Sequence, residues 1–236
     1  MPNLYLVITK RNSKVDLKKN FPILLLFLLI FISKSFPQKR YDKDFYGGIF
    51  FISDYIASPE FHNLKTNHAD IDLVDSIYCK ALIFFEGDIS EALLCLTFST
   101  IPFDHITIKL PVIGSNVIAH LPSLGKKVFE LRKNNLPKNI FIDSPNDDFG
   151  DKDKLAHFFG NAFLSYNLGW FNFSKFIGMF VEKVEDGFFA EGGFDRRDLL
   201  ANSYGETFGN ILKTNPGLLP SNILKIHQLI YFRLTP

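Results

Sequence analysis

Residues 153–167 read Asp153-Lys154-Leu155-Ala156-His157-Phe158-Phe159-Gly160-Asn161-Ala162-Phe163-Leu164-Ser165-Tyr166-Asn167. Asp153, His157 and Asn161 recur at every fourth position, amid Leu155, Phe158, Phe159 and Phe163. Positions three or four apart are neighbours on a helix, so the spacing predicts a helix over 153–167 with one polar stripe on an apolar body. Two similar segments follow, over 174–189 and 195–213, with a last one near 221–232. Gly169, Gly192-Gly193 and Pro216-Gly217 supply the breaks. The second segment aligns Gly178, Glu182 and Asp186 amid Phe176, Ile177, Phe180, Val181 and Val184; the third aligns Asp198, Asn202, Gly205 and Gly209.

Two readings of these stripes stand side by side. If they converge, Asp153, His157, Glu182 and Asp198 form a cluster able to move a proton, or to bind a metal ion through His157, Glu182 and Asp198. Otherwise they form a satisfied hydrogen-bond network that ties the helices together. Gly205 and Gly209 make a G-x-x-x-G step, which permits close approach of another helix. Nothing in the pattern assigns a cofactor.

Upstream of these helices the pattern is different. Residues 143–151 are acidic, contain Pro145 and Gly150, and have Phe149 as their one apolar side chain, so they read as a junction. From 45 to 146, short apolar stretches are broken by Pro and Gly: 48–56, 77–85, 92–98, 106–112 and 139–142. Alternation in 103–111 suits a strand, and Leu124, Val128 and Leu131 fall on one stripe of a short helix. The expected fold class is α+β: a small mixed region over 45–146 and a C-terminal helical bundle over 147–236. A signal or anchor helix (1–36) and a polar linker (37–44) precede them.

The 236 residues are 47% hydrophobic with a net charge of +1, enough to bury a core. No basic block occurs in the body of the chain, so nucleic acid is not an expected partner. At the start, Lys10, Arg11, Lys14, Lys18 and Lys19 precede the apolar run 21–32, and Ser33-Lys34-Ser35 follows it. That order matches a secretory signal, and the run is shorter than the roughly 20 residues of a stable span. A cleaved signal and an uncleaved anchor both place the protein in the periplasm or cell envelope, with membrane or envelope components as partners.

Other motifs carry little. There is no G-x-S-x-G, no G-x-x-x-x-G-K-[ST] and no H-E-x-x-H. Asn172-Phe173-Ser174 is a glycosylation sequon, meaningful only in a host that glycosylates exported proteins. Cys79 and Cys95 read as buried thiols, with a disulfide allowed in an oxidising compartment. His62, His68, His105 and His120 show no ligand-like spacing, and the 27 Phe residues read as core filling.

Three ordered blocks carry a family likeness: Asp153-Lys154-Leu155-Ala156-His157-Phe158; Gly178-Met179-Phe180-Val181-Glu182-Lys183-Val184-Glu185-Asp186; and Asp198-Leu199-Leu200-Ala201-Asn202-Ser203-Tyr204-Gly205. The order resembles the YfiM-like family of bacterial periplasmic lipoproteins, whose pattern is D-K-x-x-H-F, a Gly followed by Glu and an acidic residue, then D-x-x-x-[ND]-x-x-G. The resemblance implies that Asp153, Lys154, His157, Glu182, Asp198, Asn202 and Gly205 occupy the motif positions, and it implies no activity. No cysteine follows the apolar run, so the chain departs from a lipoprotein there. The first expectation is an envelope-associated protein with a structural or binding role. The alternative is a small hydrolase or metal-dependent enzyme built on His157, Glu182, Asp153 and Asp198.

Overall fold

The computed structural model describes residues 41–110, 115–168 and 196–234. The expected signal or anchor over 21–32 and the helix over 174–189 lie outside the described residues. So do Asn172, Gly178, Glu182 and Asp186. The stretch Tyr41–Pro236 forms one compact unit.

Eight helices occur among the described residues: α1 (Phe45–Ile56), α2 (Pro59–Asn67), α3 (Asp70–Phe84), α4 (Ile89–Ser99), α5 (Lys126–Asn135), α6 (Lys154–Asn167), α7 (Arg196–Leu212) and α8 (Pro220–Leu234). One antiparallel hairpin separates α4 from α5; β1 (His105–Leu110) pairs with β2 (Ser115–His120), His105 opposite His120. The architecture is therefore helical, and the α+β expectation for 45–146 is corrected. Four of the five apolar stretches that suggested a mixed region fall in other structure: 48–56, 77–85 and 92–98 belong to α1, α3 and α4, and 139–142 is irregular. Short apolar runs do not distinguish a buried strand from a buried helix; the buried Ile71, Val74, Ile77, Tyr78 and Ala81 of α3 do follow the helical period, but Cys79, Leu82, Ile83 and Phe84 make its outer positions apolar as well. The alternation in 103–111 does coincide with β1, but one hairpin does not make a sheet layer.

Local chemistry starts the helices where they begin. Asp44 Oδ1 accepts the Gly47 N–H at 2.7 Å, Ser58 Oγ accepts that of Phe61 at 3.1 Å ahead of Pro59, and Asp88 Oδ1 accepts that of Glu91 at 3.1 Å. The core runs through α1, α3, α4, α6 and α7, with Phe158 stacked on Phe208 and the Tyr78 ring edge-on to Phe208. Cys95 is buried in that core and Cys79 half-buried; both are free thiols, so no bridge joins them.

Helix α5 corrects a second expectation. Leu131, placed on its apolar stripe, is exposed, whereas Arg132 and Asn135 are buried. Arg132 donates to the carbonyls of Ser99 and, at 3.0 Å, Ile101; Asn135 donates to the Ile56 carbonyl at 2.8 Å and its Oδ1 lies 3.2 Å from His62 Nδ1. These groups satisfy carbonyls at the ends of α1 and α4, which a hydrophobic count does not register. Burial pulls the Arg132 guanidinium down to about 10.

Candidate functional site

Helices α6 and α7 meet along the glycine ridge. A Cβ at Gly205 would overlap the Phe158 carbonyl oxygen, and one at Gly209 would overlap the Ala162 carbonyl and Ser165 Oγ. The backbones touch where the G-x-x-x-G step predicted close approach. Ser165 seals the contact by donating to the Glu206 carbonyl at 3.0 Å.

That approach brings two of the three polar stripes into register. Lys154 Nζ lies 2.9 Å from Asp153 Oδ2 and 2.6 Å from Asp198 Oδ1, and the lysine is 4% exposed. His157 Nε2 stands 3.5 Å from the same Asp198 oxygen, while its Nδ1 lies 3.2 Å from Asn202 Oδ1. Asn161 Nδ2 donates to Asn202 Oδ1 at 2.5 Å and to the His157 carbonyl at 3.0 Å. Because Asn202 Oδ1 is an acceptor, Nδ1 is the imidazole nitrogen that donates to it, leaving Nε2 toward Asp198. Asp153 stands at the N-cap of α6 but makes no capping bond with its side chain, so its carboxylate turns to the lysine instead.

The structure thus joins Asp153, Lys154, His157, Asn161, Asp198 and Asn202, and places Gly205 beneath them. The expected meeting of His157 with Glu182 falls outside the described residues. Single ligand atoms of Asp153, His157 and Asp198 all lie within 4.8 Å of one another, which is the spacing of a potential metal site. A cation already stands there: the Lys154 ammonium bridges the two carboxylates, making the charge-assisted bonds a metal ion would replace.

One residue of this centre escaped the sequence reading. Asp151, placed in a junction, is fully buried; its Oδ2 accepts from Ser144 Oγ and from the Phe141 N–H at 3.2 Å, and its Oδ1 lies 3.6 Å from Arg197 Nε. Burial pushes its carboxyl up, against the opposing effects of Ser144, Phe141, Arg197 and Lys154. Consecutive residues of α7 therefore grip two points at once, Arg197 on Asp151 and Asp198 on Lys154. Asp151 precedes α6, so helical periodicity gave no signal for it; its place in Asp151-Lys152-Asp153-Lys154 was the only cue.

No protein-family model, no curated protein and no solved structure matches the chain.

Proposed function

We propose that this is an envelope-associated helical protein with a binding role, in which the α6–α7 polar centre is a structural lock. The observation that carries the reading is the buried Lys154 ammonium, held within 3 Å of both Asp153 and Asp198. A fixed cation that bridges both carboxylates occupies the place a metal ion would take and cancels half of their charge. The address rests on the basic lead-in and apolar run at 10–32, and on the likeness of the three blocks to periplasmic YfiM-like proteins. Among the described residues no helix is long and apolar enough to cross a membrane.

The test has two arms. Fractionation of cells expressing the full chain should place it in the envelope, and deletion of 1–36 should release it; finding both forms in the soluble cytoplasm would sink the address. Addition of zinc or manganese to the full-length protein should leave its melting temperature unchanged, because only a ligand bound by the folded state raises it.

A second reading retains one specific support, the 4.8 Å grouping of Asp153, His157 and Asp198. In it, Lys154 swings aside, His157 Nε2 and the carboxylates hold a divalent ion, and the ion activates water for hydrolysis. A metal-dependent rise in melting temperature that His157→Ala abolishes would favour this reading over the first.

A further inference from the structure

A second concentration of charge lies away from the polar centre. Lys65 from α2, Lys133 near the end of α5, and Lys138 and Lys152 from the loop between α5 and α6 line an open cavity of about 580 Å³, with Asp148 as the one carboxylate and Phe149 as an apolar wall. Asp148 and, beside Lys65, Asp70 offset part of this charge, and the four lysines leave the cavity positive.

The lysines are held there by a built loop. Asp70 Oδ2 accepts the backbone N–H groups of Lys138 at 3.1 Å and Asn139 at 2.7 Å, together with the Asn139 amide at 2.8 Å. Asp147 Oδ1 accepts the N–H groups of Phe149 and Gly150 at 2.9 and 2.6 Å. Gly150 has φ +56°, and a Cβ there would overlap the Lys138 carbonyl, so a glycine lets 138 and 150 run side by side. The Asp151 N–H then donates to the Lys138 carbonyl at 2.8 Å.

Two of the four ammonium groups are already engaged. Lys65 Nζ donates to the Asn134 carbonyl at 2.7 Å, and Lys138 Nζ donates to the Asp147 carbonyl at 2.7 Å and stands 3.8 Å from Asp148. The ammonium groups of Lys133 and Lys152 have no hydrogen bond or ion pair among the described residues, and the Lys152 side chain is 6% exposed. The Lys152 stem is therefore covered while its ammonium opens on the cavity, held close to the other lysines with its donors free for an acceptor. Burial, followed by the ammonium groups of Lys65 and Lys138, holds Lys152 below its ordinary value, with Asp148 opposing.

We infer that this cavity is an anion site for a phosphomonoester, with Lys152 and Lys133 contacting the phosphate, Lys65 and Lys138 supplying field, and Phe149 covering the organic part. A phosphomonoester carries nearly two charges at neutral pH and three strong acceptor oxygens, which suits several convergent cations better than a carboxylate does. The cavity is of the size that holds small ligands, roughly 300–1,000 Å³.

The experiment uses the full-length protein in detergent, with phenyl phosphate, inorganic phosphate and phenyl sulfate as soluble probes, and with phosphatidylcholine vesicles lacking or containing phosphatidic acid. Phenyl phosphate should raise the melting temperature more than phenyl sulfate, and the effect should weaken below about pH 6 as the phosphate gains a proton. Lys152→Met should abolish the rise, and Lys133→Gln, at a half-buried site that leaves folding intact, should weaken binding about tenfold. Preference for phosphatidic acid vesicles over the soluble esters would identify a lipid headgroup as the source of the phosphate; preference for the soluble esters would identify a free metabolite. No response to any phosphate, an equal response in Lys133→Gln, or tighter binding of a DNA oligonucleotide than of the esters would overturn the proposal.

Discussion

Lys152 and Lys154 are two residues apart and both are buried, at 6% and 4% exposure, yet their surroundings are opposite. Lys154 lies between the carboxylates of Asp153 and Asp198, so its charge is matched within 3 Å on both sides. Lys152 faces Lys65, Lys133 and Lys138, and the one carboxylate lining the cavity, Asp148, is exposed. A matched buried cation holds structure together, whereas an unmatched one raises the free energy of the empty protein and lowers it when an anion arrives. The turn at 151–153 sends one ammonium toward the α6–α7 seam and the other toward the cavity, and this separates a structural charge from one suited to binding.

Breaking the matched side should have the largest effect. Lys154→Met leaves two carboxylates facing one another near the core and should destabilise the protein by about 3 kcal/mol, measured by denaturant unfolding. A loss under about 0.5 kcal/mol, the range of ordinary surface changes, would show that the lysine is not the centre of the lock.

The seam that creates the match can be tested next. Gly205→Ala places a methyl group on the Phe158 carbonyl, where backbone must move, and should cost about 2 kcal/mol. Asn202 and His157 should also lose contact; a variant as stable as the parent would mean that α6 and α7 can separate without cost.

On the unmatched side the sign reverses. Lys152→Met should raise stability by about 1 kcal/mol in the absence of any anion, since the covered stem suits an apolar side chain and the ammonium faces three other lysines against one exposed carboxylate. That gain should depend on pH. Lys152 titrates in the folded state below its ordinary 10.5, so between the folded and unfolded values the unfolded chain binds the extra proton, and wild-type stability rises with pH across that window. The difference between wild type and Lys152→Met should therefore be full near pH 7 and close as pH approaches about 10.5. A difference constant over this range would show that the charge of Lys152 is not what destabilises the empty protein.

The smallest effect belongs to the most conspicuous residue. His157 is about two-fifths exposed and makes one side-chain hydrogen bond, to Asn202, so His157→Ala should cost about 0.5 kcal/mol as a structural residue. Loss of a hydrolytic activity in that variant, with stability intact, would instead sharpen the metal reading.

The amino-acid sequence by itself determined the helices α6 and α7, their polar stripes and the glycine ridge between them, because helical period and small residues are local properties that survive in any fold keeping those helices. It did not determine the helical nature of 45–146, where apolar residues outside the buried face, such as Phe50 and Phe51 of α1 and Ile83 of α3, blur the period that marks an amphipathic helix. Nor did it show Asp151 as buried, because a group outside regular structure has no periodic position to reveal it. The basic cavity was invisible for a stronger reason: Lys65, Lys133, Lys138 and Lys152 are spread over 88 positions, and a chain with no basic block in its body gives no sign that its fold will gather them. Only tertiary structure, through Asp70 pinning the loop and Gly150 allowing 138 and 150 to run together, decided which lysine would be paired and which left facing its own kind.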